Sequence, residues 1–358
     1  MIKRCAMKNI VFVFLFFVFF SCKESRQEVV YIPPVFDEVV KRSVSVIGET
    51  LDDVGSKPMI HGDFIIMEHQ SLKNEKIFHA YNKYTGKYMC GFGVRGRGEG
   101  ELIHITGISI DEKTNSVMVG SFNRDEVFVF SLDSLEYGEV AVSTQKMKQI
   151  MSGRNLLKLG EKHYCSVYNS CYRFLLYDKN FNIIDSSNFY SPISGSMVNS
   201  RRASELYYSY CSNCSSKPDG TKFVNLTLSG AILEIFEIRN NKIKHLRTKY
   251  YYQPMYDEES GLPRWDETMG AAGITATNKY IYVVFIDTPN REAPIYKISV
   301  LDWEGNPIKQ YDLGVDLMRI GIDEEFGKGY VVFRDDNYEY HLGVFKDRKS
   351  TRLNSSHT

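Results

Sequence analysis

Several carboxylates and arginines of this chain fall in loop-like stretches where side chains are available for chemistry. Glu99, Glu101, Asp125, Asp266 and Asp335 are the carboxylates; Arg95, Arg97, Arg124, Arg264 and Arg291 stand among them. Two carboxylates held ~5–9.5 Å apart could cleave a glycosidic bond as acid and base or nucleophile. Surface loops collect carboxylates without any catalysis, so no catalytic residue is assigned. Trp265 lies between Arg264 and Asp266 in the long insertion 253–268. An aromatic face ringed by groups that can form paired hydrogen bonds suits a sugar or a peptide; the alternative is an acidic loop with Trp265 folded down as packing. The alternating glycines Gly96, Gly98 and Gly100 lie in a stretch whose consecutive backbone N–H groups can cradle an anion. No helix start and no Lys-Ser/Thr follow them, and glycine also serves where a connection needs positive φ. The candidate ligand set is therefore Arg95, Arg97, Glu99, Arg124, Arg264, Trp265, Asp266 and Arg291.

Cys211 and Cys214 form a lone C-x-x-C, too little for a zinc site, which needs four ligands. In an exported protein a local Cys211–Cys214 disulfide is the expectation; Cys165–Cys171 pairing and buried thiols are the alternatives. The histidines show no metal-binding spacing, and neither a metal nor a cofactor is expected. Lys+Arg and Asp+Glu both number 44, so no basic excess points to nucleic acid.

The elements that must position these residues are strands. With 24 Tyr and 22 Phe in 358 residues, the composition suits pleated, half-buried surfaces. An apolar strand, a polar turn and a second strand occur at Tyr81–Tyr88 and recur from Phe130, Tyr177, Phe236 and Leu301. A sixth strand of this type ends at Phe345. Before each comes a β-branched and aromatic run: Phe64–Met67, Val117–Val119, Tyr164–Tyr168, Phe223–Leu228, Tyr280–Phe285 and Tyr330–Phe333. Periods near ~45 residues with about four strands each predict a β-propeller. Five blades are complete, and the sixth lacks its outer strand. Ser43–Gly48 alternates correctly to supply it, closing the ring from the N-terminus and removing exposed sheet edges.

The N-terminus carries Lys3, Arg4 and Lys8 before an apolar run from Ile10 to Phe20. The run is shorter than the ~20 residues a spanning helix needs and reads as a secretory signal, starting at Met1 or Met7. Ser21-Cys22 at its end resembles the lipobox of bacterial lipoproteins, although Phe19 stands where Leu is usual. That resemblance implies cleavage before Cys22 and acylation of it, each buried CH₂ adding ~0.8 kcal/mol of anchoring. Lys23-Glu24-Ser25 is similar to export tags of Bacteroidota surface lipoproteins. Residues 347–358 resemble the in-frame translation of a sequencing adapter and are set aside as non-native. The expected organisation is thus a signal peptide over 1–21, a tether over 22–42, the propeller over 43–346 and the tail.

Phe92-Gly93 followed by Gly96-Arg97-Gly98-Glu99-Gly100-Glu101-Leu102 resembles the segment that ends blade one in TolB-like (NHL-like) six-bladed propeller lipoproteins of Bacteroidota. Glu99 replaces a usual Pro, and Leu102 a usual Phe. The resemblance implies an all-β six-bladed propeller and a lipoprotein habit; it brings no activity. In a propeller, the inter-blade connectors share a face with the loops between second and third strands. That face is expected to display His69, Glu101, Asp125, Arg201, Arg202, Asp335 and the ligand set above. The reading is a monomeric outer-membrane lipoprotein, periplasmic or surface-exposed. It would bind a glycan, a peptide or an envelope protein as a binding or scaffold module; the alternative is a propeller hydrolase or lyase with carboxylates in the channel.

Overall fold

The structure is a computed structural model that describes residues 29–347 except 72–73, 103, 122–125, 139, 148–153, 162, 168–171, 194–208, 258, 260–261, 265–266, 268, 290–294 and 296. Among these residues, six sheets of four or five strands form. Each is one blade of a six-bladed β-propeller. Their inner strands are Met59–His61, Ile105–Asp111, Arg154–Leu159, Ser212–Ser216, Gly270–Ala276 and Asp316–Asp323, in blades one to six.

The hydrophobic pattern explains the layering. Ser116–Ser121 and Ile281–Ile286 are buried along their whole length, because a second strand is covered on both faces by neighbouring blades and has no reason to alternate. The outer strand Lys242–Tyr250 does alternate in exposure. Aromatic side chains fill the seams between blades. Phe78 lies 5.1 Å from Phe92 and 5.9 Å from Phe130, joining blades one and two. Phe174, Phe223 and Phe236 cluster at centroid distances of 4.8–5.4 Å, joining blades three and four. Each of these rings is almost completely buried, so its truncation to Ala is worth about 3–5 kcal/mol.

The same seam of blades three and four holds a buried ion pair. Arg173 donates to both carboxylate oxygens of Glu234, at 2.7 and 2.5 Å. Ser191 Oγ and Asn225 Nδ2 donate to the same carboxylate at 2.6 and 2.9 Å. Burial alone would raise the Glu234 pKa, but the Arg173 charge and these donors outweigh it and hold the group below its ordinary value.

The ring closes as the sequence predicts. Ser45–Leu51 pairs antiparallel with Tyr340–Lys346 as the outer strand of blade six, with Ser45 opposite Val344 and Leu51 opposite Tyr340. A second contact was not foreseen: Val39–Lys41 adds a parallel strand to the edge of blade five. The N-terminal segment therefore covers two blade edges in succession. Of the tail set aside in the sequence, Asp347 alone is described. It is buried, and its carboxylate accepts hydrogen bonds from Tyr282 at 2.8 Å and Tyr311 at 2.7 Å.

Candidate functional site

The inner strands surround a central channel, and four of them are irregular at the same level. Register shifts fall between Ile105 and Gly107, Arg154 and Leu156, Ala271 and Gly273, and Leu317 and Arg319. Each inserts one extra residue: Thr106, Asn155, Ala272 or Met318. A β-bulge of this kind bends its strand and re-aims a side chain. Asn155 sits at φ 62°, a left-handed conformation that Asn tolerates better than most residues. Thr106, Asn155 and Ala272 line a chamber of about 510 Å³. Its walls come from the first halves of the inner strands, which places it beneath the inter-blade connectors. A second chamber of about 570 Å³ lies between the far halves. Lys57, Met59, Ile108 and Leu157 line both and form the waist between them.

Charge is distributed unequally along this channel. In the far chamber Lys158 Nζ meets the Asp111 carboxylate at 2.8 Å and the Tyr164 hydroxyl at 3.0 Å. In the connector-side chamber, Lys57 and Arg319 have no carboxylate within ion-pair distance among the described residues; Arg319 donates only to the Met318 carbonyl, at 2.9 Å. Burial depresses the pKa of both, and Lys57 is partly supported by the Cys214 thiol across the axis. The one carboxylate among the lining residues is Glu68. Burial pushes it up to about 7, against the attraction of Arg95 and with the help of Asp53. Asn155 and Asn213 add amides, and Ile105, Ile274 and Ile286 supply apolar wall. A mostly apolar cavity of this volume with a few convergent polar groups has the make-up of a small-ligand site.

The profile of the TolB-like 6-blade propeller-like family matches residues 36–325. The chain belongs to this family. Among solved structures it is similar to an exported protein of Bacteroides fragilis NCTC 9343, at 12% identity and a TM-score of 0.56 over 88% of this chain and 97% of that one. It is also similar to a luciferin-regenerating enzyme, at 11% identity and a TM-score of 0.49 over 85% of this chain and 95% of that one. No curated protein matches. No helix among the described residues is long and apolar enough to cross a membrane.

Of the eight ligand residues expected from sequence, the described part of this TolB-like propeller holds Arg95, Arg97, Glu99 and Arg264. Arg124, Trp265, Asp266 and Arg291 lie outside the described residues, as do Cys22, Asp125, Arg201 and Arg202. Arg95 donates to the His69 carbonyl at 2.6 Å in blade one, and Arg97 and Glu99 are exposed on the following turn. Arg264 pairs with Glu267 at 2.7 Å in the blade-four connector, and both are largely exposed. The glycine turn is filled from within: Glu101 returns its carboxylate to the Gly98 N–H at 2.7 Å. A Cβ on Gly96 would collide with that carboxylate, so these glycines accommodate Glu101.

His69 is a correction. It was expected on the displayed face, yet it is 1% exposed. Its ring bridges Asp53, at 2.8 Å, and the Tyr81 hydroxyl, at 2.9 Å, and stacks on His79 at 4.2 Å. The network satisfies a buried imidazole and fixes its orientation. The Cys211–Cys214 disulfide is a second correction: both cysteines are thiols. Cys214 lies in the inner strand of blade four, where residues three apart point to opposite faces. Its thiol donates instead to Asn225 Oδ1 at 2.9 Å, and burial pushes its pKa up to about 12.

Asp335, Glu339 and His341 bring ligand atoms within 4.8 Å of one another. Asp335 already accepts from the backbone N–H groups of Asn337 and Glu339 and meets His341 Nε2 at 3.0 Å, which accounts for the cluster as a capped hairpin turn. The residues missed from sequence are Lys57, Glu68, Asn155, Asn213 and Arg319. Arg319, inside the apolar run 317–322, and Glu68, at the end of the run 64–67, carried a signal; Lys57, Asn155 and Asn213 stand among other polar residues and carried none.

Proposed function

We propose that this protein is an exported, lipid-anchored binding module of the cell envelope, and that the connector-side chamber of its channel is the binding site. The observation that carries the reading is the chamber itself, about 510 Å³ of apolar wall into which three bulged strands direct Thr106, Asn155 and Ala272. Among the described residues this chamber has one lining carboxylate, Glu68; Asp111, Glu112 and Glu161 line the far chamber, where Asp111 is paired with Lys158 and Glu161 with Lys113. Export and anchoring are supported by the signal-like N-terminus with Cys22 and by the likeness to an exported Bacteroides protein. An outer-membrane lipoprotein, facing the periplasm or the outside, fits both.

The site is tested by filling it. Thermal-shift screening of soluble glycans, peptides and small metabolites should yield hits that vanish in Ala272→Trp, a variant that places an indole in the chamber. Hits that persist in that variant would place binding elsewhere and sink the channel reading. Anchoring has a separate test: Cys22→Ser should move the protein from the membrane to the soluble fraction.

A further inference from the structure

Among the described residues, the two buried cations, Arg173 and Lys83, and the half-buried Lys158 have carboxylate partners. Arg173 has Glu234, Lys83 has Asp323 at 3.2 Å, and Lys158 has Asp111. Lys57 and Arg319 have none among the described residues, although burial works against the charge of both. Both side chains are half-buried and line the chamber, where a partly desolvated charge is stabilised by an anion beside it. Such an arrangement serves little purpose in packing and is what a site for an anion requires.

The fold sets the two cations on one wall. Lys57 directly precedes Pro58 in blade one, and Arg319 lies two residues before Gly321 in blade six. Gly321 approaches so closely that a Cβ there would lie 2.1 Å from the Pro58 carbonyl oxygen. Residues two apart in a strand share a face, so Arg319 projects from the side of its strand that meets blade one. The other wall is formed by blades three to five, with the amides of Asn155 and Asn213 and the small residues Ala271, Ala272 and Gly273. The opening left by those small residues is what gives the chamber its volume.

We propose that the connector-side chamber binds a small organic carboxylate, its anionic group held between Lys57 and Arg319 and its polar remainder by Asn155 and Asn213. A guanidinium matches the two oxygens of a carboxylate with two parallel N–H donors, while an ammonium acts as a point charge. The apolar walls at Ile105, Ile274 and Ile286 suit a carbon skeleton better than a bare inorganic ion. This inference rests on the channel being the binding site and adds the class of ligand.

The test uses the full chain lacking its signal peptide, titrated calorimetrically with galacturonate, citrate, galactose and inorganic phosphate. A carboxylate should bind at least tenfold more tightly than galactose, and Lys57→Met and Arg319→Met should each weaken it at least tenfold. Both variants should stay within a few degrees of the wild-type melting temperature, since neither substitution strands a carboxylate and Arg319 loses only its bond to the adjacent Met318 carbonyl. Equal binding of galactose, or carboxylate binding unaffected by both substitutions, would overturn the ligand class while leaving the channel reading in place. Tightest binding of phosphate would assign the site to inorganic anions and also overturn the proposal. Failure of every probe, together with failure of Ala272→Trp to remove any screening hit, would sink both. If either variant unfolds, the cation is structural and the proposal fails for it. Iodide soaked into wild-type crystals then decides the site: an anomalous peak between Lys57 and Arg319 supports an anion site, and its absence refutes one.

Discussion

In the half of the channel away from the connectors, Lys158 meets Asp111 at 2.8 Å and Lys113 meets Glu161 at 2.9 Å. In the half beneath the connectors, Lys57 and Arg319 meet no carboxylate among the described residues, and the nearby Glu68 is held up to about 7. The two chambers are similar in size, about 570 and 510 Å³, and are built by the same strands. What separates them is the bulge repeated in four inner strands, which disturbs the ladder on one side of the waist only. On the regular side, charges are placed where neighbouring blades can pair them. On the bulged side, the Asn155 and Asn213 amides reach the next inner strands, donating to the Ser212 and Ala272 carbonyls at 3.4 Å, and the two cations have no carboxylate among the described residues. The pair Arg173–Glu234 lies at the connector end of the third strands of blades three and four, yet within the seam it is deeply buried and fully satisfied.

The largest effect expected from this contrast is at the satisfied pair. Glu234→Gln should cost about 3–5 kcal/mol, because Arg173 is left buried without a counter-charge. The double substitution Arg173→Met with Glu234→Leu should recover most of the loss in urea denaturation. A mild single variant would show that the pair is better hydrated than its burial implies.

Glu68 provides the next test, on the opposite side of the contrast. The folded chain keeps this carboxyl protonated between about pH 4.5 and 7, where the unfolded chain has released the proton. Its contribution is therefore full below about pH 4.5 and falls as pH rises through 7, by on the order of 2–3 kcal/mol. Glu68→Gln should remove that slope and leave the variant more stable than wild type at pH 8. His79, which burial holds down to about 4, tilts stability the other way, so the two proteins are compared at each pH. Parallel curves for wild type and Glu68→Gln would contradict the shift.

A matched pair of substitutions addresses the channel directly. Lys158→Met should destabilise by about 1–3 kcal/mol, since Asp111 loses its partner while remaining buried. Lys57→Met, which strands no carboxylate, should be neutral or slightly stabilising. Equal losses at both positions would erase the distinction between the chambers.

The smallest effect is expected at the glycine turn. Glu101→Ala removes a charge-assisted hydrogen bond to Gly98 and should cost about 1 kcal/mol, read as a small drop in melting temperature. Arg264→Ala, at an exposed pair, should be silent within about 0.5 kcal/mol.

The fold was legible because repetition and alternation are local properties. Tyr81–Tyr88 and its recurrences mark the outer hairpin of successive blades, and the apolar runs from Phe64 to Phe333 are the second strands. Ser43–Gly48 was read as the closing strand, and Ser45–Leu51 is that strand. The site was less legible. Gly96–Gly100 looked like an anion cradle because a glycine turn exposes N–H groups; that Glu101 folds back to occupy it depends on a side-chain torsion invisible in spacing. Cys211 and Cys214 looked like a disulfide because they are three apart in a loop-rich region, but an extended strand turns such neighbours to opposite faces.

The sequence by itself determined the blade repeat, the closing strand and the aromatic seams, since each follows from periodicity and from which residues tolerate a pleated, covered surface. Only the tertiary structure decided the channel. Lys57, Asn155, Asn213 and Arg319 come from four blades, and their convergence requires the ring to close. Whether a cation meets a carboxylate is settled there by the seam between blades, where the strands approach across hundreds of residues of chain and local pattern carries no record of the distance.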